Sequence, residues 1–194
     1  MTARALRLFI YCTIINFGFS FLDELFLAGS AGRYKLMFQN QGLQIFSMMM
    51  VVNTVLCSAF AVIAAKHLKK PLLIFPLGLI LIGTGAAIAL DGINHREMIF
   101  VGMTILTMGE IIFASLSQYV LIQILPESNS QGSVYGIAMM VQVTGRIMGG
   151  VLAFPLVVYN DHAPGIFLWA VLPFLFVIFL ARRGLREISH PVLT

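Results

Sequence analysis

Residues 98–125 read MIFVGMTILTMGEIIFASLSQYVLIQIL, an apolar stretch with one acidic residue, Glu110, near its middle. A helix needs about 20 apolar residues to cross the hydrocarbon core of a bilayer, so this stretch is long enough to span one. A charged side chain inside such a span is costly and normally faces protein or water. The stretch therefore predicts a membrane-spanning helix with a carboxyl group inside the bilayer.

The whole chain has the composition of a membrane protein. Its 194 residues are 59% hydrophobic and 10% charged, whereas soluble domains carry about 25% charged residues. The predicted spans are Arg7–Ala28, Leu43–Ala65, Leu72–Leu90, Met98–Leu125, Val134–Tyr159 and Pro164–Ala181. The predicted fold is all-α: residues 1–194 form a single polytopic bundle of six transmembrane helices. A cleaved signal peptide is the alternative for the first span, but Asp23 and Glu24 are atypical of one.

The distribution of basic residues predicts the orientation. One side has Arg4, Arg7, Lys66, Lys69, Lys70, Arg182, Arg183 and Arg186; the other has Arg33, Lys35 and Arg96; Arg146 lies inside a span. Cytoplasmic loops carry the excess of lysine and arginine. We expect a multi-pass protein of the plasma membrane, specifically a bacterial inner membrane, with both termini in the cytoplasm.

Polar side chains are concentrated in four of the six predicted spans. Spans one, two, four and five each contain several, whereas span three has only Thr84 and span six has none between Ile166 and Ala181. Intramembrane polar groups usually face protein or a water-filled cavity. We expect spans one, two, four and five to line an interior and spans three and six to face lipid. This order, repeated twice, predicts a three-plus-three internal repeat of the kind transporters use.

Glycines in span five predict close helix packing. Gly132 and Gly136 are four residues apart, as are Gly145 and Gly149, with Gly150 adjacent. Such spacing lets two helix backbones approach closely. The alternative is the ordinary glycine content of membrane helices.

Two charged residues are the leading functional candidates. Glu110 and Arg146 each lie about 18 Å from the predicted start of their span, near the bilayer midplane. Each has a structural alternative: a protonated or paired carboxyl group for Glu110, and a simple ion pair for Arg146. The short loop between spans four and five predicts antiparallel neighbours, so the two side chains either meet or stay apart at one depth.

Other polar residues complete a predicted substrate and proton pathway. Asp23 and Glu24 stand near the predicted outer end of span one, Asn16 shares a helix face with Asp23, and Gln142 lies one turn before Arg146. The full set is Glu110, Arg146, Gln142, Asn16, Asp23, Glu24, Asn53 and Gln118.

No feature of the sequence indicates catalysis. Cys12 and Cys57 lie in apolar runs and suit packing, without metal-ligand spacing. There is no nucleophile with a base at plausible spacing. We therefore expect no enzyme activity, no metal, no cofactor and no nucleic-acid partner.

The segment Gly109–Gly150 reads GEIIFASLSQYVLIQILPESNSQGSVYGIAMMVQVTGRIMGG. It resembles the tenth and eleventh helices of the major facilitator superfamily, particularly drug–proton antiporter-like members. Phe60–Lys70 looks like the basic loop after that family's eighth helix. The resemblance implies that the chain is a C-terminal six-helix half. Two departures concern the cytoplasmic gate: Ala64 and Ala65 replace the family's acidic loop residue, and Gln131-Gly132 replaces Arg-Gly.

The resemblance implies secondary transport of a small organic or amphipathic solute, with efflux in exchange for protons as the antiporter-like case. The residues themselves leave the direction of transport and the coupling ion open. A complete member has two such halves, so it also implies a second six-helix half from the same gene, from a separate chain or from a second copy. The alternative is an integral membrane protein that transports nothing and binds or regulates a membrane partner.

Overall fold

Helices account for nearly all of the chain that the structure describes. The computed structural model describes residues 3–67, 71–92, 95–124, 131–183 and 186. The helices in order are α1 (Ala3–Phe38), α2 (Gly42–His67), α3 (Pro71–Asp91), α4 (Arg96–Ile124), α5 (Gln131–Ala153) and α6 (Ala163–Leu180). A 3₁₀ turn at Gln39–Gln41 joins α1 to α2, and a π-helical turn at Phe154–Val158 continues α5. These residues include no strand, which confirms the predicted all-α class.

Several of these helices are long and apolar enough to cross a membrane. The described residues contain five such stretches: Leu6–Ala64, Ile74–Asp91, Arg96–Ser117, Gly132–Val158 and Ala163–Leu180. The first stretch includes both α1 and α2. The chain thus has the helices of a membrane protein, while the count of six crossings stays a prediction.

The first helix is longer than the sequence predicts. The first predicted span ends at Ala28, but α1 continues to Phe38. The two glycines mark a close contact instead, because a β-carbon at Gly29 or Gly32 would collide with Val157 or Val158. Asp23 consequently lies near the middle of α1 rather than near its end.

Arg33 also misled the prediction, because a charged residue usually ends a membrane span. Its side chain is buried, and Nη1 donates to the carbonyl oxygens of Val157 at 3.1 Å and Asn160 at 2.6 Å. A cation is stabilised at the carboxyl end of a helix, where the last carbonyl groups lack partners. Arg33 therefore ties α1 to the end of the helix formed by α5 and its π-helical turn.

The break between α1 and α2 depends on local backbone geometry. Gln39 has φ 48°, in the left-handed region that side chains rarely adopt. Gly42 then passes directly over the backbone of Tyr34 and Lys35, where a β-carbon would collide. This turn separates α1 from α2.

Glycines set the α1–α5 interface. A β-carbon at Gly145 would lie 2.6 Å from the Phe17 carbonyl oxygen, and one at Gly149 would collide with the backbone of Phe21. This pair therefore makes the close contact that its spacing predicts. Gly132 and Gly136 have no neighbour within 4 Å of such a β-carbon, so they are not close-contact glycines.

A second glycine ladder joins α3 to α4. Gly78 lies against Gly109, and Gly85 lies against Gly102, with the two helices running antiparallel. A β-carbon at Gly102 would lie 2.7 Å from the carbonyl oxygen of Gly85. The seven-residue spacing on both helices keeps the small residues at one seam.

Each helix packs mainly against one or two of the others. α1 packs mainly on α5, α4 packs on α2 as well as α3, and α3 packs on α6. α4 and α5 share no extended contact in the described residues. The prediction that these two helices pack as antiparallel neighbours is therefore wrong, because the Gly145–Gly149 contact directs α5 onto α1 instead.

The two helices that lack polar residues differ in burial. α6 exposes large apolar side chains such as Trp169 and Phe176, as expected of a peripheral helix. α3 exposes Leu77 and Ile80, yet more than half of Ile74–Asp91 is buried. The expectation that α3 is peripheral is thus wrong for most of its surface, because its glycines bring it against α4.

Candidate functional site

Four polar side chains stand near the midpoints of four different helices. Glu110 lies midway along α4, Asp23 lies near the middle of α1, and Asn53 lies near the middle of α2. Arg146 lies near the middle of the helix formed by α5 and its π-helical turn. Of these four, the sequence predicted mid-membrane positions for Glu110 and Arg146 alone.

Glu110 is held from α2 through hydrogen bonds. Asn53 Nδ2 donates to Glu110 Oε2 at 3.2 Å, and Cys57 Sγ donates to Asn53 Oδ1 at 3.0 Å. Asn53 therefore has both its amide oxygen and its amide nitrogen engaged. This chain of contacts orients the Glu110 carboxyl group from one side.

Asp23 approaches Glu110 from α1. The two carboxyl groups lie close enough to interact directly, and both residues are half-buried. An ionised carboxylate only accepts hydrogen bonds, so two carboxyl groups bond to each other only when one of them is protonated. We call Asp23 and Glu110 the acid pair.

Arg146 supplies the positive charge of the site. It acts electrostatically on both Asp23 and Glu110 from α5, and its own side chain is exposed. The sequence left open whether Arg146 meets Glu110. In the structure, Glu110 accepts a hydrogen bond from Asn53, and the exposed Arg146 influences it electrostatically without a direct ion pair among the described residues.

The hydrogen bonds of this cluster do not include Asn16, Glu24 or Gln142. Asn16 is buried, and its Nδ2 donates to the Cys12 carbonyl oxygen of its own helix at 2.8 Å. Glu24 packs over Gly149, with its β-carbon 3.1 Å from where a β-carbon at that glycine would lie. Gln142 is half-buried on α5. Gln118 belongs to α4, but its side chain lies outside the described residues.

Sequence reasoning missed the part that Cys57 plays. We expected an apolar packing residue, whereas its thiol is a hydrogen-bond donor to Asn53. The signal was present in the spacing, because residues four apart lie one above the other on a helix face. An asparagine and a cysteine at that spacing, inside a span, form a polar pair.

The arrangement is suited to binding and releasing a proton. One proton between Asp23 and Glu110 leaves a single negative charge, which the positive charge of Arg146 balances. Loss of that proton leaves two negative charges beside one positive charge, so the deprotonated site favours a cation or another proton. In the described part of the chain, no cluster of three or more histidine, cysteine, aspartate or glutamate residues forms a metal site.

No protein family, no curated protein and no solved structure matches this chain. The evidence for its function is therefore the geometry of the site and the packing of the helices.

Proposed function

We propose that the chain is one half of a secondary transporter, which exchanges protons for a small organic or amphipathic solute. The observation that carries the proposal is the acid pair Asp23–Glu110, held between α1, α2, α4 and α5 near their midpoints. Ionisable groups inside a membrane are expensive and typically mark substrate or proton pathways. The pair is the proton-binding site in this proposal, and Arg146 is its counter-charge.

Part of the packing order fits an inverted repeat of the major facilitator kind, whereas the extensive α3–α4 contact has only a small counterpart between α6 and α1. If α1–α3 and α4–α6 are two repeats, the contact of α1 with α5 corresponds to the contact of α4 with α2. The contact of α3 with α6 joins the third helices of the two repeats, so it is its own counterpart. Transporters built from such repeats bind substrate near the midplane, between the repeats or between the halves. We therefore propose a C-terminal half of a drug–proton antiporter-like transporter.

An exposed face of α5 supports the need for a second half. Met139, Val143 and Arg146 share one face of α5, and all three are exposed. An arginine facing lipid at this depth costs about 2.5–3.5 kcal/mol on insertion scales. A second six-helix half, either another copy or a separate chain, would cover this face and enclose the site.

The proposal includes six membrane crossings and an orientation with both termini in the cytoplasm. The helical stretch Leu6–Ala64 would be about 88 Å long if it were straight, nearly three times the thickness of the hydrocarbon core. We propose that it crosses twice, with the Gln39–Gln41 turn outside. Six crossings then place both termini in the cytoplasm of a bacterial inner membrane, as the basic residues predict.

Proton-coupled currents test the proposal. The protein is purified in mild detergent with any bound partner, reconstituted in liposomes and exposed to a panel of organic cations, anions and zwitterions. Solid-supported membrane recordings measure the current with and without a pH gradient. We expect at least one solute to give a current that depends on the gradient and is lost in Glu110→Gln.

Glu97→Gln is the matched control, because Glu97 is an exposed acid in the first turn of the same helix. It should keep the current. Currents equal to those of protein-free liposomes for every solute would contradict transport. That result would favour the alternative, a membrane protein that binds or regulates a partner.

A further inference from the structure

The outer face of α2 carries a regular stripe of side chains. Its members follow one another at intervals of seven, four, three and four residues: Gln44, Val51, Val55, Ser58 and Val62. Such intervals place residues along one face of a helix, and all five are exposed. The stripe extends about 27 Å along the axis, close to the thickness of the hydrocarbon core. We call these five residues the α2 stripe.

The helix formed by α5 and its π-helical turn carries the same spacing in reverse. Read from its C-terminal end, its exposed face has residues at intervals of seven, four, three and four: Phe154, Ile147, Val143, Met140 and Gly136. We call these five residues the α5 stripe. α2 and α5 share no extended contact in the described residues, so neither stripe covers the other within one chain.

The two stripes are complementary in size when they run antiparallel. Val62, which is 75% exposed, then lies opposite Gly136, where a β-carbon would meet no atom within 4 Å. The small Ser58 lies opposite Met140, which is 72% exposed. Small residues let two membrane helices approach closely, and large side chains fill the space that small ones leave. Each stripe therefore fits the other.

Polar residues distinguish these stripes from a surface that faces lipid. The α2 stripe exposes Gln44 and Ser58, and Arg146 is exposed beside the α5 stripe. In contrast, the lipid-facing helix α6 has no polar side chain between Ile166 and Ala181. Polar groups inside a membrane normally face protein or a water-filled cavity rather than lipid. The two stripes are therefore surfaces for a protein partner.

We propose that this partner is a second copy of the chain, related to the first by a two-fold axis along the membrane normal. The basic residues predict the same orientation for both copies. Because α2 and α5 cross in opposite directions, α2 of one copy then meets α5 of the other antiparallel. A two-fold interface requires one chain to carry both of its surfaces, and the matching intervals of the two stripes meet this requirement. The inference rests on the proposed function and names its second half.

The second copy also completes the charges of the site. In the register that aligns the two stripes, Asn53 of one copy lies at the depth of Gly145 of the other. Arg146 of the second copy is one residue further along, a difference of about 1.5 Å in depth. Since Asn53 donates to Glu110, this guanidinium group approaches the acid pair from the side of α2. Each acid pair thus has an arginine of both copies near it.

Paired cysteines in native membranes test the register of the two stripes. Cys12→Ala and Cys57→Ser remove the natural thiols, and the serine keeps a donor for Asn53. Two differently tagged copies, each with one introduced cysteine, are expressed together and oxidised with copper phenanthroline before solubilisation. The matched pairs are Val51→Cys with Ile147→Cys, and Ser58→Cys with Met140→Cys. The swapped pairs use the same four cysteines: Val51→Cys with Met140→Cys, and Ser58→Cys with Ile147→Cys.

We expect each matched pair to give at least about fivefold more disulfide-linked dimer carrying both tags than either swapped pair. The swapped cysteines lie about 10 Å out of register, and cysteines whose Cα atoms are more than about 7 Å apart cannot be bridged without backbone movement. Phe176→Cys with Met140→Cys is the control for random encounter in the membrane, because Phe176 is 62% exposed on α6, outside both stripes. It should give no more linked dimer than the swapped pairs.

The outcomes separate the second copy from the proposed transport. Equal linkage in matched and swapped pairs, or no linked dimer in any pair, overturns the second copy as the partner. Transport with a different second half then still stands, and the current measurements test it. Linked dimer in the matched pairs supports the α2–α5 interface, even where the liposomes give no solute current and transport itself is contradicted.

Discussion

The carboxyl groups of Asp23, near the middle of α1, and Glu110, near the middle of α4, lie close enough to interact directly. This contact joins the two proposed repeats. Asn53 from α2 donates a hydrogen bond to Glu110, and Arg146 from α5 contributes a positive charge. Each of the four helices contributes one polar group, so a change in one helix position alters the environment of the proton.

The pair predicts that one acid suffices to stabilise Arg146. Glu110→Gln should fold like the wild type, since the Asp23 carboxylate remains as the counter-charge. Adding Asp23→Asn leaves Arg146 without a carboxylate, at a cost of about 2.5–3.5 kcal/mol. Arg146→Met in that double variant should recover folding but not proton-coupled flux. Thermal unfolding in detergent checks the order, and a Glu110→Gln protein as unstable as the double variant would contradict it.

Asn53 predicts a specific link between α2 and α4. Asn53→Ala removes the donor to Glu110 and the acceptor of Cys57. Interhelical hydrogen bonds in membrane proteins average about 0.6 kcal/mol and reach about 1.7 kcal/mol, so we expect a loss in that range. Thr54→Ala is the control, because its hydroxyl bonds only within α2. Equal stability of the two variants in a denaturant titration would count against the link.

The glycines of α5 predict opposite effects of one substitution. Gly145→Ala places a β-carbon 2.6 Å from the Phe17 carbonyl oxygen and should destabilise by about 1–3 kcal/mol, as overpacking does. Gly136→Ala meets no atom within 4 Å and should stabilise by up to about 1 kcal/mol through helix propensity. Unfolding titrations of both variants measure the difference. A change in unfolding free energy of the same sign for both variants would show that the α1–α5 contact is looser than described.

The hydrogen bonds of Arg33 predict a stabilising contact between α1 and the π-helical turn Phe154–Val158. Arg33→Leu removes the donor to the carbonyl oxygens of Val157 and Asn160, and bonds to charged groups contribute about 1.5–3 kcal/mol each. We expect faster amide hydrogen exchange in Phe154–Val158. Lys35→Leu removes an exposed charge nearby and should leave this exchange unchanged. Unchanged amide exchange in Phe154–Val158 after the loss of Arg33 would show that these hydrogen bonds do not stabilise the turn.

The basic residues predict where the termini lie. Single cysteines introduced as Thr2→Cys and Val192→Cys, positions outside the described residues, should react with a membrane-impermeant reagent only from the cytoplasmic side. The variants require a background without Cys12 and Cys57. Labelling of intact cells from outside would reverse the proposed orientation.

Sequence patterns predicted the helical class and several of the site residues, but not the contacts between helices. Glu110 and Arg146 stand out because a charge inside an apolar run has a simple energetic meaning. Asp23 was placed too near a helix end because Gly29, Gly32 and Arg33 resemble the start of a loop. These residues instead continue the helix, because they contact Val157 and Asn160. Those partners lie more than 120 residues away along the chain, so a local sequence pattern does not reveal them.

The amino-acid sequence by itself determined that this chain forms apolar helices of membrane-spanning length with buried charges, because span length and charge cost are properties of local composition. Only the tertiary structure decided which charges meet. Gly145 and Gly149 direct α5 onto α1 rather than onto α4, so Glu110 accepts its hydrogen bond from Asn53 and lies beside Asp23, while Arg146 stays exposed on α5. Helix pairing is set by close approach of backbones at small residues, and several glycines of this chain offered that approach while only some of them use it.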